Sequence, residues 1–292
     1  TLVSLRVNKI INKMNLVNKL KTSTRIILLI REIATFFYFL QDIILYATAF
    51  ILNVGNVKKI TNKQITIVTA SDTSHFLSVK QLISSINHFE RKSKIIFYDL
   101  GLREEEKEEI KNMDLIYKNF KFEDFPDYVN IKERDSGAYA WKPQIINEEI
   151  NNGNDLLIWM DAGNKITRNL NKFRIILTFY GFFSPLSNGH VEQWTHIKTL
   201  KQLQIKNKIY KKRMLNAAIV GFNPIVEKNL DFIRVWSKLS LRQEIILPDG
   251  SGKHNHRWDQ SLLTVLFYNS FNKLFFNRTH RWLGILIHQD ID

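Results

Sequence analysis

The spacing of apolar positions divides the chain near residue 60. From Ile26 to Leu52 almost every position is apolar (IILLIREIATFFYFLQDIILYATAFIL), broken by Arg31, Glu32, Gln41 and Asp42. On a helix, Arg31, Thr35, Tyr38 and Asp42 fall at i, i+4, i+7 and i+11, one narrow polar stripe on a greasy cylinder. A polar connector, Gly55 to Lys63, follows, and then the pattern changes to short buried runs. Gln64–Thr69, Ile95–Tyr98 and Leu156–Met160 read as strands, the last two stopping at Asp99-Leu-Gly101 and Asp161-Ala-Gly163. Between them, Leu77, Leu82, Ile83 and Ile86 share one side of a helix. Arg103–Met113 reads as a charged helix whose early glutamates suit its dipole. Strands alternating with helices predict an α/β fold with a mostly parallel, doubly wound central sheet. The expected organisation is residues 1–60 as a helical segment and 61–292 as one α/β domain.

In such sheets ligands sit beyond the carboxyl ends of the strands, which directs attention to Ser71, Asp72, Asp99 and Asp161. No internal repeat, G-x-G-x-x-G or P-loop is present. The chain has no cysteine, which excludes disulfides, thiolate metal sites and cysteine nucleophiles. With 292 residues, 45% of them hydrophobic, and only 11 Gly and 5 Pro, a sizeable core is expected and a long flexible linker is not.

Charge sharpens the view of the N-terminal segment. Nine Lys or Arg stand against Glu32 and Asp42 in residues 1–60, so a fifth of the chain holds half of its net +14. Cations ahead of a greasy helix suit an anionic membrane surface, at roughly 1 kcal/mol per basic residue. The expectation is a membrane-associated protein on the cytoplasmic face. Lying in the interface is favoured over spanning, because a charge at the bilayer centre costs about 3 kcal/mol. A type II spanning arrangement and a core or oligomer-interface helix stay open. A cleaved signal peptide is not expected, since the apolar run is too long. Nucleic acid is not an expected partner, because the basic run has no interleaved aromatics and no reading motif.

Asp161 is the leading candidate for chemistry. A carboxylate at the end of an apolar strand, followed by Ala-Gly, can meet a hard cation that neutralises a diphosphate, and Asn164 can add a neutral oxygen. A turn brace for the next segment is the competing role. The segment Pro248–Gln260 packs His254, His256, Arg257 and Asp259 behind two glycines, as an active-site lid or wall would. Asp259 reads either as the N-cap of the helix over Ser261–Phe267 or as a working carboxylate. His190 and Glu192–His196, with Trp194, read as an acceptor-side loop or as packing. Trp159 and Trp236 read as core. Asn277-Arg-Thr279 forms a glycosylation sequon of little weight.

Taken in order, IVTASDTSHF, YDLGL, YAWKPQII, LLIWMDAGN, NAAIVGFN and NHRWDQSLLT resemble glycosyltransferase family 8 and related GT-A families that share a W-M-D-A-G-N box. The resemblance covers about residues 64 to 292. It implies a GT-A fold and transfer of a hexosyl or related sugar from a nucleotide-sugar, UDP by analogy, to a glycolipid or surface-glycan acceptor. It implies that Thr69, Ala70 and Asp72 hold the base and ribose, and that Lys142 contacts the donor. Asn216–Asn223 would line the sugar, with Asp259 and Gln260 beside sugar and acceptor. Asp161 and His288 would bind a divalent cation, Mn2+ or Mg2+. Gly163 departs from the family pattern, standing where a second metal carboxylate belongs. Either two protein ligands suffice, or cations such as Lys142, Lys253 and Arg257 replace the metal. The same departure motivates the alternative of a non-catalytic, membrane-associated scaffold.

Overall fold

A computed structural model describes residues 29, 32, 33, 35–153, 155–271 and 280–291. The basic residues 6–25, Arg31 and the sequon at 277–279 lie outside the described residues. The chain forms two compact units, residues 1–44 and 45–292. In the smaller unit, residues 35–44 are helical, with Phe36, Phe37, Phe39, Leu40 and Ile44 exposed. The expected polar stripe is not uniformly exposed, because Asp42 is buried. Among the described residues no single helix is long and apolar enough to cross a membrane. Thr35–Ile51 and Val54–Thr61 meet that standard together, with a 69° bend between them.

Within the larger unit, the expected polar connector is instead two short helical turns, Val54–Asn56 and Val57–Thr61. Ile60 and Ala49 pack on Ile175, which ties residues 45–61 to the α/β body.

The body is a six-stranded mixed sheet in the order β3-β2-β1-β4-β9-β6. Its strands are β1 (Ile65–Ser71), β2 (Lys94–Asp99), β3 (Ile116–Asn119), β4 (Leu156–Met160), β6 (Phe182–Phe183) and β9 (Ile219–Phe222). The first four are parallel; β9 runs antiparallel to β4, and β6 antiparallel to β9. The α/β class and the mostly parallel sheet are as the sequence pattern predicts.

The unbroken burial of β1 and β4 has a direct cause: both faces are covered. Val68, Leu157 and Trp159 enter one core, against Ile145, Ile146, Phe232, Trp236 and Leu262. Ile67, Ile158 and Met160 enter the other, against Val79, Leu82, Ile86, Phe173 and Leu177. Alternation along a strand therefore sorts residues between two buried layers, the burial pattern of an α/β sheet. The helices Phe76–Phe89 and Asn171–Tyr180 cover one face; Trp141–Asn151, Glu227–Ser240 and Trp258–Ser270 cover the other. Leu77, expected on the buried side of its helix, is exposed, and Val79 fills that side instead.

Four short strands complete the body. β5 (Lys165–Ile166) pairs with β10 (Ile285–Leu286), and β7 (Leu186–His190) with β8 (Arg213–Leu215). The β5–β10 pair brings the segment after residue 280 back to the loop that follows β4. There the Gln289 N–H donates to the Gly163 carbonyl at 2.6 Å, and the Ile291 N–H to Ser78 Oγ at 3.0 Å.

Candidate active site

A cleft of about 610 Å3 opens at the carboxyl ends of β1, β2 and β4. The antiparallel entry of β9 sets Asn216, Ala217 and Ala218 beside the end of β4, since Met160 pairs with Ile219. The carboxyl edge of a parallel sheet is where helix and strand ends leave polar backbone and side chains open to a ligand.

At the centre lies a buried charge triad. Lys142 Nζ is 2.9 Å from Asp161 Oδ1 and 3.3 Å from Asp259 Oδ2. Its side chain and that of Asp259 are almost wholly buried, whereas the Asp161 side chain is 37% exposed, toward the cleft. The Trp159 indole N–H donates to the same Asp161 Oδ1 at 2.6 Å. Lys142 also sits 5.5 Å from the centre of the Trp159 ring and 5.6 Å from that of Tyr139, within cation–π range.

Burial alone drives an ammonium toward its neutral form, but the Asp161 and Asp259 carboxylates outweigh it and raise the Lys142 pKa. Asp259 goes the other way: burial pushes its carboxyl up to about 6, and Lys142 offsets this only in part, with Asp161 adding to the rise. The difference has a simple origin. One ammonium between two carboxylates leaves a net negative triad when all three are ionised, and the more deeply buried carboxylate bears the cost.

These contacts decide two roles left open by the sequence. Asp161 is not a turn brace: its backbone carbonyl closes the turn to the Asn164 N–H at 3.0 Å, while its side chain faces the cleft and Lys142. Asp259 is not an N-cap either. The helix begins at Trp258 with Arg257 at the cap, and Asp259 points at Lys142 from within the first turn. Trp236 is core, as expected, whereas the fully buried Trp159 also holds Asp161.

The wall beside Lys142 is made by an unusual backbone. Asp135, Ser136, Gly137, Ala138 and Tyr139 all have φ between 51° and 65°, a left-handed turn. Each non-glycine residue there costs about 1–2 kcal/mol. Gly137 is obligatory, because a Cβ would overlap the Val129 carbonyl. The Trp141 indole donates to the Ser136 carbonyl at 3.2 Å. Of the seven non-glycine residues with positive φ among the described residues, four line the cleft: Ser136, Tyr139, Trp258 and His288. Strain held in place by surrounding structure clusters at functional sites.

Most of the expected site residues converge here. Ala70, Asp72, Lys142, Asp161, Gly163, Asn164, Asp259, Gln260 and His288 all line the cleft, and so do Trp194 and Arg257. The Arg257 guanidinium lies 4.1 Å over the Trp194 ring, forming a flat, partly charged wall. Asp72 Oδ1 accepts from Ser74 N and Oγ, at 3.1 and 2.6 Å. His75 above all lowers its pKa.

Four expected residues are placed elsewhere. Thr69 is fully buried in β1 and does not line the cleft. Asn223 braces a turn, its Oδ1 accepting from the Ile225 N–H at 3.2 Å. His190 is exposed at the end of β7, away from the cleft. His256 is wholly buried between two backbone groups: its Nδ1 accepts from the His196 N–H at 3.0 Å, so its Nε2 donates to the Ile246 carbonyl at 3.0 Å. Lys253 also does not line the cleft. Conversely, nothing in the residue pattern pointed to Ser136, Tyr139 or Asp290 in the lining, where all three stand. Only the lone Gly137 hinted at the turn that carries the first two.

The Asp290 carboxylate packs directly on Gly163, where any Cβ would overlap it. Asn164 is buried, with its Nδ2 donating to the Ala218 carbonyl at 2.6 Å and its Oδ1 without a hydrogen-bond partner. Carboxylates, an imidazole and an unsatisfied amide oxygen form a donor set that suits a hard divalent cation. Among the described residues no three His, Cys, Asp or Glu side chains form a ready-made ion site. An ion held by these residues would need its remaining ligands from a bound phosphate and water.

Comparison with known proteins gives three findings. A family model described as "Protein of unknown function (DUF1647)" matches residues 35–147. No curated protein matches the chain. Similar solved structures include mouse xyloside xylosyltransferase 1, apo form, at 11% identity over 73% of this chain and 83% of that one, TM-score 0.46. The mannosyltransferase Ktr4p from S. cerevisiae shares 10% identity over 70% and 66%, TM-score 0.44. The WbbM bifunctional glycosyltransferase shares 15% identity over 72% of this chain, which spans 38% of the WbbM chain, TM-score 0.43.

Proposed function

We propose that the protein is a glycosyltransferase that moves a sugar from a nucleotide-sugar, UDP-linked by analogy, to a glycan or glycolipid acceptor. The observation that carries this reading is the Lys142–Asp161–Asp259 triad at the floor of a cleft on the carboxyl edge of a parallel sheet. The ordered motifs that resemble GT-A enzymes supply three of its walls. They are β1 with Ala70 and Asp72, the β4 end with Asp161–Asn164, and the helix start with Asp259 and Gln260.

In this reading Lys142 is a fixed cation whose charge never leaves the site, held by Asp161 and Asp259 and backed by two aromatic rings. A prearranged charge of this kind stabilises a leaving diphosphate without reorganising during the reaction. Trp159 locks the Asp161 carboxylate in one orientation. Asp259 sits where a carboxylate can stabilise positive charge developing on the sugar, and Gln260 lies beside it. The Arg257–Trp194 wall offers a flat face and a donor fork for a sugar ring. Asp161 and His288 would help to hold a divalent cation, which would supply further neutralisation of the diphosphate.

We infer that the protein works at a membrane. The exposed aromatic and aliphatic residues 36–40 and the basic residues that precede them in the sequence support an interfacial seat for residues 1–44. The test of the enzyme reading is a panel of UDP- and GDP-sugars with and without Mn2+, scored by thermal shift and sugar-nucleotide hydrolysis. At least one should stabilise the protein and be turned over, and Asp161→Ala should abolish turnover with the circular dichroism spectrum unchanged. Absence of any nucleotide binding sinks the reading.

A further inference from the structure

The cleft is acidic in a protein whose net charge is +14. Asp72, Asp161, Asp259 and Asp290 line it against two permanent cations, Lys142 and Arg257. A diphosphate, itself an anion, meets repulsion in such a lining unless a further cation comes with it. The Asp290 carboxylate has no role in the triad; it lies in the same cleft against Gly163, in the space a side chain there would occupy.

Its placement is built, not incidental. The backbone on either side of Asp290 is pinned, by Gln289 N–H to the Gly163 carbonyl at 2.6 Å and by Ile291 N–H to Ser78 Oγ at 3.0 Å. His288, two residues earlier, holds a left-handed conformation at φ 55° that turns the chain toward the cleft. Gly163 leaves the space that the carboxylate fills. Independently of these carboxylates, buried Asn164 in the same loop has an Oδ1 with no hydrogen-bond partner. A buried amide oxygen left unsatisfied is destabilising, and a bound cation would relieve it.

We propose that Asp290 is a direct ligand of the divalent cation that accompanies the donor, completing with Asp161 and the Asn164 oxygen a site finished by the donor's phosphates. The carboxylate that the β4 loop lacks at Gly163 is thereby delivered from a segment more than a hundred residues further along. This inference rests on the nucleotide-sugar reading, because the phosphates supply the remaining ligands. Mg2+ and Mn2+ sites commonly pair one or two carboxylates with substrate phosphates and water in this way.

The experiment titrates full-length, detergent-solubilised protein with Mn2+ in saturating UDP, following free Mn2+ by electron paramagnetic resonance. Asp290→Asn, isosteric and uncharged, should weaken Mn2+ binding at least ten-fold while the melting curve without ligand stays in place. The double variant Gly163→Asp/Asp290→Gly returns a carboxylate to nearly the same space from the other chain segment, and should recover most of the affinity. If Asp290→Asn binds Mn2+ as the wild type does, or the exchanged pair recovers nothing, the assignment of Asp290 is overturned. If wild type binds UDP equally with and without Mn2+, the ion site falls and the nucleotide-sugar reading stands. If it binds neither, both fall.

Discussion

Acid should loosen this protein through one imidazole. His256 is fully buried, with its ring nitrogens committed to the His196 N–H and the Ile246 carbonyl. Burial pulls its pKa from the ordinary 6.5 down to about 4; the Ile246 carbonyl opposes the shift, and His196, whose ring centre is 6.5 Å away, adds slightly to it. The folded state thus holds the ring neutral in a range where the unfolded chain binds a proton. Stability from this group is present in full above pH 6.5, declines as the pH falls, and is gone below pH 4. Linkage over that interval makes the loss about 3 kcal/mol. His256→Asn keeps one donor and one acceptor at similar spacing but cannot titrate. Urea denaturation of both forms from pH 7.5 to 4 isolates the effect, because carboxylates and His196 are common to both. The difference in unfolding free energy should change by about 3 kcal/mol across the window, the wild type losing ground in acid. A difference that stays constant with pH refutes the reasoning.

Two other outcomes follow from single contacts. Arg174 is buried with both of its Glu90 contacts near 3 Å and a further bond to the Lys63 carbonyl. Arg174→Met should cost about 3–5 kcal/mol in urea denaturation by leaving Glu90 uncompensated, and adding Glu90→Gln should return part of the loss. Trp159→Phe removes the indole N–H from Asp161 together with part of a fully buried ring. Hydrogen bonds to charged groups are worth about 1.5–3 kcal/mol, so kcat/KM on the accepted nucleotide-sugar should fall at least roughly ten-fold, and the cavity left in the core should lower the melting temperature as well.

What the sequence displayed and what it hid follow the range of the interactions. β1, β2 and β4 were legible because both faces are buried, so each is a short, largely apolar run rich in β-branched, leucine or aromatic residues. β3 was not: Ile116–Asn119 is an edge strand with no buried residue, and its pattern matches a loop. The triad was half legible. Asp161 announced itself by following an apolar strand, and Lys142, Asp259 and Gln260 by the motifs around them. That Lys142 bridges the two carboxylates belongs to packing alone. His256 misled because ionisable residues in a glycine-rich loop read as exposed, whereas this ring is satisfied by backbone. Asp290 was invisible because its partner, Gly163, is distant in sequence and signals only by lacking a side chain.

The left-handed turn at 135–139 has a mechanical consequence. A screw of opposite hand joins Val129, whose carbonyl leaves no room for a side chain at Gly137, to the helix that starts at Trp141. Were it to unwind to the ordinary hand, the first turn of that helix would rotate and carry the ammonium of Lys142 out of reach of both carboxylates. Position of the wall and placement of the charge are thus one adjustment, like a key cut on a single blank. Insertions or deletions between residues 129 and 141 should accordingly be far less tolerated than in the surface loops elsewhere.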